Sequence, residues 1–166
     1  MYVSSEINIC SGQNAYLVQV GSELVKNYIS AQERTLLIDS NLLRLYPWLE
    51  NRKSVIVDAN EHEKSFITVA RVVEELRSLG CNRQTHLVVL GGGITQDIAT
   101  LAASTYMRGI KWTYCPTTLL SMVDSCIGGK SSINVGQYKN IAGNYYPPEK
   151  ILIDIDFCKT LSSEQL

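Results

Sequence analysis

The stretch that most constrains this chain runs from Leu87 to Arg108, LVVLGGGITQDIATLAASTYMR: an apolar run, three glycines, then a helix built on small side chains. Leu87 to Leu90 is short, unbroken and apolar, which before a glycine turn predicts a parallel strand covered on both faces. Gly91, Gly92 and Gly93 lack a Cβ, so the backbone there can take positive φ and a ligand can approach it closely. Thr95 is expected to cap the helix that follows. Free N–H groups and the helix dipole then converge on one spot, which suits a phosphate. Ile98, Leu101, Ala102 and Thr105 share one face, and Ala99 and Ala103 let the helix backbone lie close to a sheet. Asp97, in the first turn, either meets polar ligand groups or simply complements the helix dipole. The turn is not the dinucleotide fingerprint GxGxxG, because Gln96 stands where its last glycine belongs.

A chain of 166 residues, 45% hydrophobic and 19% charged, can bury one real core. A formal net charge of -1 without a basic cluster gives no reason to expect nucleic-acid or membrane-surface partners. Small molecules or another subunit are the expected partners. Cys10, Cys81, Cys115, Cys126 and Cys158 are scattered, odd in number and form no CxxC pair, which reads as reduced thiols in a cytoplasmic protein. No export signal or eighteen-residue apolar span is present. With only His62 and His86, and no Cys or carboxylate cluster around them, no metal site is expected within the chain.

Around the central stretch, Ser5–Cys10 and Ala15–Val20 alternate as an opening hairpin that turns through Ser11, Gly12, Gln13 and Asn14. Ser22–Ile29 is helical in its spacing, and Thr35–Ile38 is a buried strand ending in Asp39, Ser40 and Asn41. Such a polar triplet serves as a helix cap or as a ligand contact at a strand's carboxyl end. A short helix Leu42–Leu49, broken at Pro47, a strand Ser54–Val57 and a charged loop Asp58–Lys64 lead into the helix Ser65–Leu79, which stops at Gly80. Glu61 and Lys64 in that loop are either ribose and substrate contacts or solvated charges. Ile110–Cys115 is a strand, Pro116, Thr117 and Thr118 lead to a helix Leu119–Val123, and Ile151–Ile155 is the last strand. Strand and helix alternate from residue 35 onward, the pattern of a Rossmann-like parallel sheet with helices on both faces.

The segment VDSCIGGKSSINVGQYKN gathers Asp124, Lys130, Asn134, Lys139 and Asn140 around Gly128 and Gly129. It is not the phosphate loop GxxxxGK[ST], since position 124 is Asp, and its charges fit a surface hairpin or a polar site. Ser162 to Gln165 reads as a capping box just before the sequence ends, which predicts the start of a further helix and hence a longer protein.

Taken in order, GGGITQD, ASTYMRG, PTTLLSMVDS, GGK, KN, YPP, ILIDID and KTL resemble the N-terminal domain of the 3-dehydroquinate synthases. The resemblance implies an NAD-binding domain over 1–161, with 162–166 opening a helical C-terminal domain outside this sequence. It implies that Asp39, Asn41, Glu61 and Lys64 lie near the adenosine end of NAD, and that Gly92, Gly93 and Ile94 hold its pyrophosphate. Asp97, Thr117, Thr118, Lys139 and Thr160 would complete the cofactor site. Arg108, Asp124, Lys130 and Asn140 would contact the phosphorylated substrate. Arg108 would reach the neighbouring subunit's site, which implies a homodimer. A divalent metal, zinc or cobalt, would be bound by the C-terminal domain.

The family's reaction converts 3-deoxy-arabino-heptulosonate 7-phosphate to 3-dehydroquinate with loss of phosphate. NAD is used catalytically, because oxidising an alcohol acidifies the neighbouring C–H and lets phosphate leave. The sequence departs from the family pattern at Gln96, usually glycine, and at Val135 and Gly136, usually His-Pro. The second change is similar to cyclases acting on other sugar phosphates, such as 2-epi-5-epi-valiolone synthase. A metal-dependent polyol dehydrogenase and a non-catalytic nucleotide-binding module are the remaining alternatives.

Overall fold

The structure, a computed structural model, describes residues 2–11 and 14–161. The hairpin residues Gly12 and Gln13 and the capping box at Ser162–Gln165 lie outside the described residues. Among the described residues there are nine strands and four α-helices, in the order β1 Tyr2–Ser11, β2 Asn14–Ser22, α1 Leu24–Ser30, β3 Thr35–Asp39, α2 Ser40–Leu45, β4 Ser54–Val57, α3 Phe66–Ser78, β5 His86–Gly91, α4 Gly93–Thr105, β6 Lys111–Pro116, β7 Ile133–Val135, β8 Tyr138–Ala142 and β9 Lys150–Asp154. Seven of them form one sheet in the order β1-β2-β9-β6-β5-β3-β4. Only β1 runs antiparallel to its neighbour; β2, β9, β6, β5, β3 and β4 are parallel.

Period-two alternation divides the sheet's side chains between two cores. Leu37, Leu87 and Val89 face α3 and α4, meeting Val69, Val72, Leu76, Ile98 and Ala102. Leu36, Ile38, Val88 and Leu90 face the other side, meeting Val25 and Ile29 of α1 and Leu42 of α2. This is why β5 is apolar without a break, since both of its faces are covered. Each such side chain, fully buried, stabilises the fold by about 1.5–3 kcal/mol. Ala99, Ala102 and Ala103 are fully buried, as expected for a helix lying close on its sheet.

Three local expectations are corrected. Thr95 does not cap α4: the cap is Gly92, no side chain caps the helix, and Thr95 Oγ1 is buried without a protein partner. Gly93 enters the helix itself, so the helix starts three residues earlier than a Thr95 cap would place it. The first helix begins at Leu24 and not Ser22, because Glu23 sits at φ 56 in the left-handed region. Its free amides are satisfied from the far end of the sequence. Val25 N–H donates to Asp154 Oδ2 at 3.0 Å and Glu23 N–H to Asp156 Oδ2 at 2.9 Å. Third, the helix after Thr118 runs on through Ser125 and widens into a π-helical turn over Ser121–Ser125. The polar segment beyond it does form a hairpin, β7–β8, with Gly136 at φ 60 in its turn.

Candidate functional site

The carboxyl ends of β3, β5, β6 and β9 meet at a cavity of about 750 Å³, lined among others by Asp39, Asn41, Gly92, Gly93, Ile94, Thr117, Thr118 and Thr160. Eight of the twelve residues expected to hold the cofactor thus come together from four separate strand ends. That is where open α/β sheets bind ligands. The glycine turn exposes the first amides of α4 there, with no side-chain cap and no acid in the first turn, because the helix starts at Gly93 and leaves Asp97 as its fifth residue and not in the first turn as expected. A Cβ on Gly92 would come within 2.9 Å of Thr118 Cγ2, so only glycine keeps this approach open. These features fit a dinucleotide's pyrophosphate: uncapped donors, a positive dipole end and no competing carboxylate.

Asp39 both caps α2 and lines the cavity. Its Oδ1 accepts from Asn41 N–H at 3.0 Å and from Asn41 Nδ2 at 3.1 Å, and the residue lines the cavity wall. Burial raises its carboxyl pKa, against the lowering effect of the Asn41 bonds. A carboxylate so placed suits ribose hydroxyls. Tyr46 and Thr160 close the opposite wall with an O···O distance of 2.8 Å. The sequence reading missed Arg44, Tyr46 and Phe157, which also line the cavity. Arg44 Nη2 donates to Asn41 Oδ1 at 2.9 Å, so it steadies a predicted contact residue. Its one sequence signal is a position three residues after Asn41, one helical turn along α2.

Of the other four expected cofactor residues, Glu61, Lys64 and Asp97 belong to a second network and Lys139 does not. Lys64 is 7% exposed and pairs with Asp97 Oδ2 at 2.8 Å, and its Nζ also donates to Asn140 Oδ1 at 2.7 Å. Asp97 further accepts from Ser132 N–H at 2.9 Å and from Ser132 Oγ at 3.1 Å. Asn134 ties the hairpin to the loop, donating through Nδ2 to Glu61 Oε1 at 2.8 Å and accepting from Asn140 N–H at 2.9 Å. The Asn134 bond holds the Glu61 carboxyl below its ordinary pKa. Ser132, absent from the sequence-based site, is the hub of this network, and Asn140 is held at φ 55 within it. Lys139 is exposed on β8.

Of the residues expected to meet substrate, only Asn140 joins that network. Asp124 is exposed on the π-helical turn, and Lys130 is exposed beside a bridge to Tyr145. Arg108 lies past the far end of α4, whose thirteen residues carry it about 20 Å from the glycine turn. It is exposed, and it follows Met107 in a turn where both residues have positive φ, 50 and 65. Within one copy of the chain, Arg108 and the cavity are therefore at opposite ends of the sheet. Among the described residues no group of three His, Cys, Asp or Glu side chains is placed to hold a metal, and all five cysteines are free. No helix among them is long and apolar enough to cross a membrane.

A parallel sheet whose central strand turns through glycines into an uncapped helix, facing a cavity at the sheet's carboxyl edge, defines a Rossmann-like α/β domain. The family described as 3-dehydroquinate synthase N-terminal matches residues 54–166, and the chain belongs to it. It is 36% identical over 165 residues to a 3-dehydroquinate synthase of Alkaliphilus metalliredigens (strain QYMF), an alignment covering 93% of this chain and 46% of that protein. Among solved structures, 2-epi-5-epi-valiolone synthase from Streptomyces hygroscopicus subsp. jinggangensis 5008, with NAD+ and Zn2+ bound, superposes with a TM-score of 0.83 at 32% identity, covering 95% of this chain and 48% of that one. A 2-deoxy-scyllo-inosose synthase complexed with carbaglucose-6-phosphate, NAD+ and Co2+ also gives 0.83, at 26% identity and covering 97% and 49%. The chain spans about half the length of the curated relatives it matches.

Proposed function

We propose that this chain is the cofactor-bearing half of an NAD- and metal-dependent sugar phosphate cyclase of the 3-dehydroquinate synthase type. Its reaction would convert 3-deoxy-arabino-heptulosonate 7-phosphate to 3-dehydroquinate and phosphate. The observation that carries the reading is the uncapped start of α4, opening through Gly92, Gly93 and Ile94 into a cavity walled by Asp39, Asn41, Thr117, Thr118 and Thr160. Those residues would hold NAD, whose bound form supplies reversible oxidation of a substrate alcohol.

The chain's own groups would bind and orient. Backbone amides of the glycine turn take the pyrophosphate charge, and Asp39 Oδ2 accepts from ribose hydroxyls. Lys64 and Asp97 neutralise one another, so their part is to hold Asn140 toward the substrate and not to carry net charge to it. Lys130 supplies a point charge for phosphate or carboxylate, and Asp124 orients hydroxyls. Arg108 acts from a second copy of the chain, since its own cavity is out of reach, and a homodimer follows. The divalent metal would polarise substrate oxygens through ligands in a C-terminal helical half.

The test is release of inorganic phosphate from the heptulosonate phosphate by the complete protein with NAD and zinc. The isolated 166 residues are expected to bind NAD weakly and release none. Turnover by the fragment alone would defeat that division of labour. A second reading, a valiolone-type cyclase, draws on Val135 and Gly136 in the β7–β8 turn. Phosphate release from a sugar phosphate lacking the carboxylate, in preference to the acid, would favour it. Net NADH accumulation with a simple polyol would instead show a dehydrogenase.

A further inference from the structure

Gln96, three residues beyond the glycine turn, is a polar residue only 2% exposed. Its Nε2 donates to the Ser125 carbonyl at 2.8 Å, and its Oε1 accepts from Ser125 Oγ at 3.3 Å. One buried amide thus takes both polar groups of a residue 29 positions later. Ser125 ends the π-helical turn, in which Cys126 N–H reaches back to the Ser121 carbonyl at 3.1 Å. A π turn is rarely favoured by itself and needs support from outside. The other end of the turn is tied to the cavity wall, where Ser121 Oγ and Thr118 Oγ1 lie 2.8 Å apart. Ser125 Oγ is also 3.7 Å from where a Cβ on Gly93 would stand, so the clasp adjoins the glycine turn directly.

We propose that Gln96 is a positioning residue for the substrate end of the site: by clasping Ser125 it locks the π-helical turn and so fixes where Asp124 stands relative to Gly93 and Thr118. The proposal rests on the reading of Asp124 as a substrate contact and of Gly93 as part of the pyrophosphate cradle.

The test compares Gln96→Met, Gln96→Glu and Ser125→Ala in the complete protein, by hydrogen exchange over residues 118–127, NAD titration and phosphate-release kinetics. Losing a buried hydrogen bond of this kind is expected to speed exchange in that segment, and to lower kcat, about tenfold in Gln96→Met, with NAD affinity held within about threefold. Gln96→Glu provides a readout that a merely structural role would not move. Its carboxylate has no proton for the Ser125 carbonyl, so kcat should recover toward wild type as pH falls and the buried acid protonates. Ser125→Ala removes one of the two bonds and should give intermediate exchange; with Gln96→Glu it carries the test if Gln96→Met does not fold. Unchanged exchange over 118–127, or a Gln96→Glu pH profile like the wild type's, in a protein that turns over would overturn the clasp alone. A wild-type protein that neither binds NAD nor releases phosphate would overturn the functional reading, and the positioning role of Gln96 with it.

Discussion

Asp39 carries a conflict between stability and ligand binding that can be measured. Burial raises its pKa in the folded chain, so between the ordinary 3.8 and that raised value the folded state holds more protons than the unfolded one. Stability from this group is therefore lost as pH rises through that window, and at neutral pH the ionised carboxylate is a cost. Asp39→Asn keeps an oxygen for Asn41 N–H while deleting the charge. It should leave the thermal midpoint at pH 7 unchanged or higher and weaken NAD about tenfold, the loss of one charge-assisted bond. A lower midpoint with undiminished NAD affinity would contradict the role given to Oδ2. The sequence already marked Asp39 and Asn41, but left a cap and a ligand contact as alternatives. In the structure the same residue caps α2 through Oδ1 and lines the cavity, a coincidence that no linear pattern carries.

At the level of elements, α1 shows what local sequence leaves out. Its periodicity was legible, but its start was not, because the groups that satisfy its first amides are on β9 and just beyond it, some 130 residues later. Asp156 is the measurable member of that contact. Lys159 first, then Ser22 Oγ and Glu23 N–H, hold its pKa down to about 2. A depressed carboxyl stabilises the fold above its unfolded pKa, and the contribution disappears as pH falls through the folded value. Asp156→Asn should thus cost about 1 kcal/mol at pH 7, allowing for solvent screening of the Lys159 pair, and clearly less near pH 2, where the folded carboxyl is being protonated. Equal losses at both pH values, read from urea melts, would show that packing and not ionisation sets the effect. Gly129 gives a steric counterpart: at φ +63, with a Cβ that would stand 2.3 Å from Pro147 Cα, it should tolerate alanine worse than Gly92 does. The strand-glycine-helix unit and the alternation around it were legible because each depends on neighbours in sequence. The Lys64–Asp97–Ser132–Asn140 network was not, since it joins a loop, a helix and a hairpin that lie far apart in the sequence.

Across the whole molecule, the central strands are sealed between two cores while the β7–β8 hairpin is largely exposed. Native-state hydrogen exchange should therefore find the β5 and β6 amides opening only with global unfolding, and those of β8 exchanging at far lower free energy. Equal protection in the two would mean that the hairpin is covered by something in solution. The sheet order carries one more consequence. Because β9 lies between β2 and β6, the first hairpin has no berth in the main sheet until nearly the whole domain has been synthesised. A nascent chain must keep that hairpin waiting while the doubly covered strands assemble. β9, the latest strand of this sheet in chain order, is then the keystone that joins the two parts and delivers the acids that seat α1.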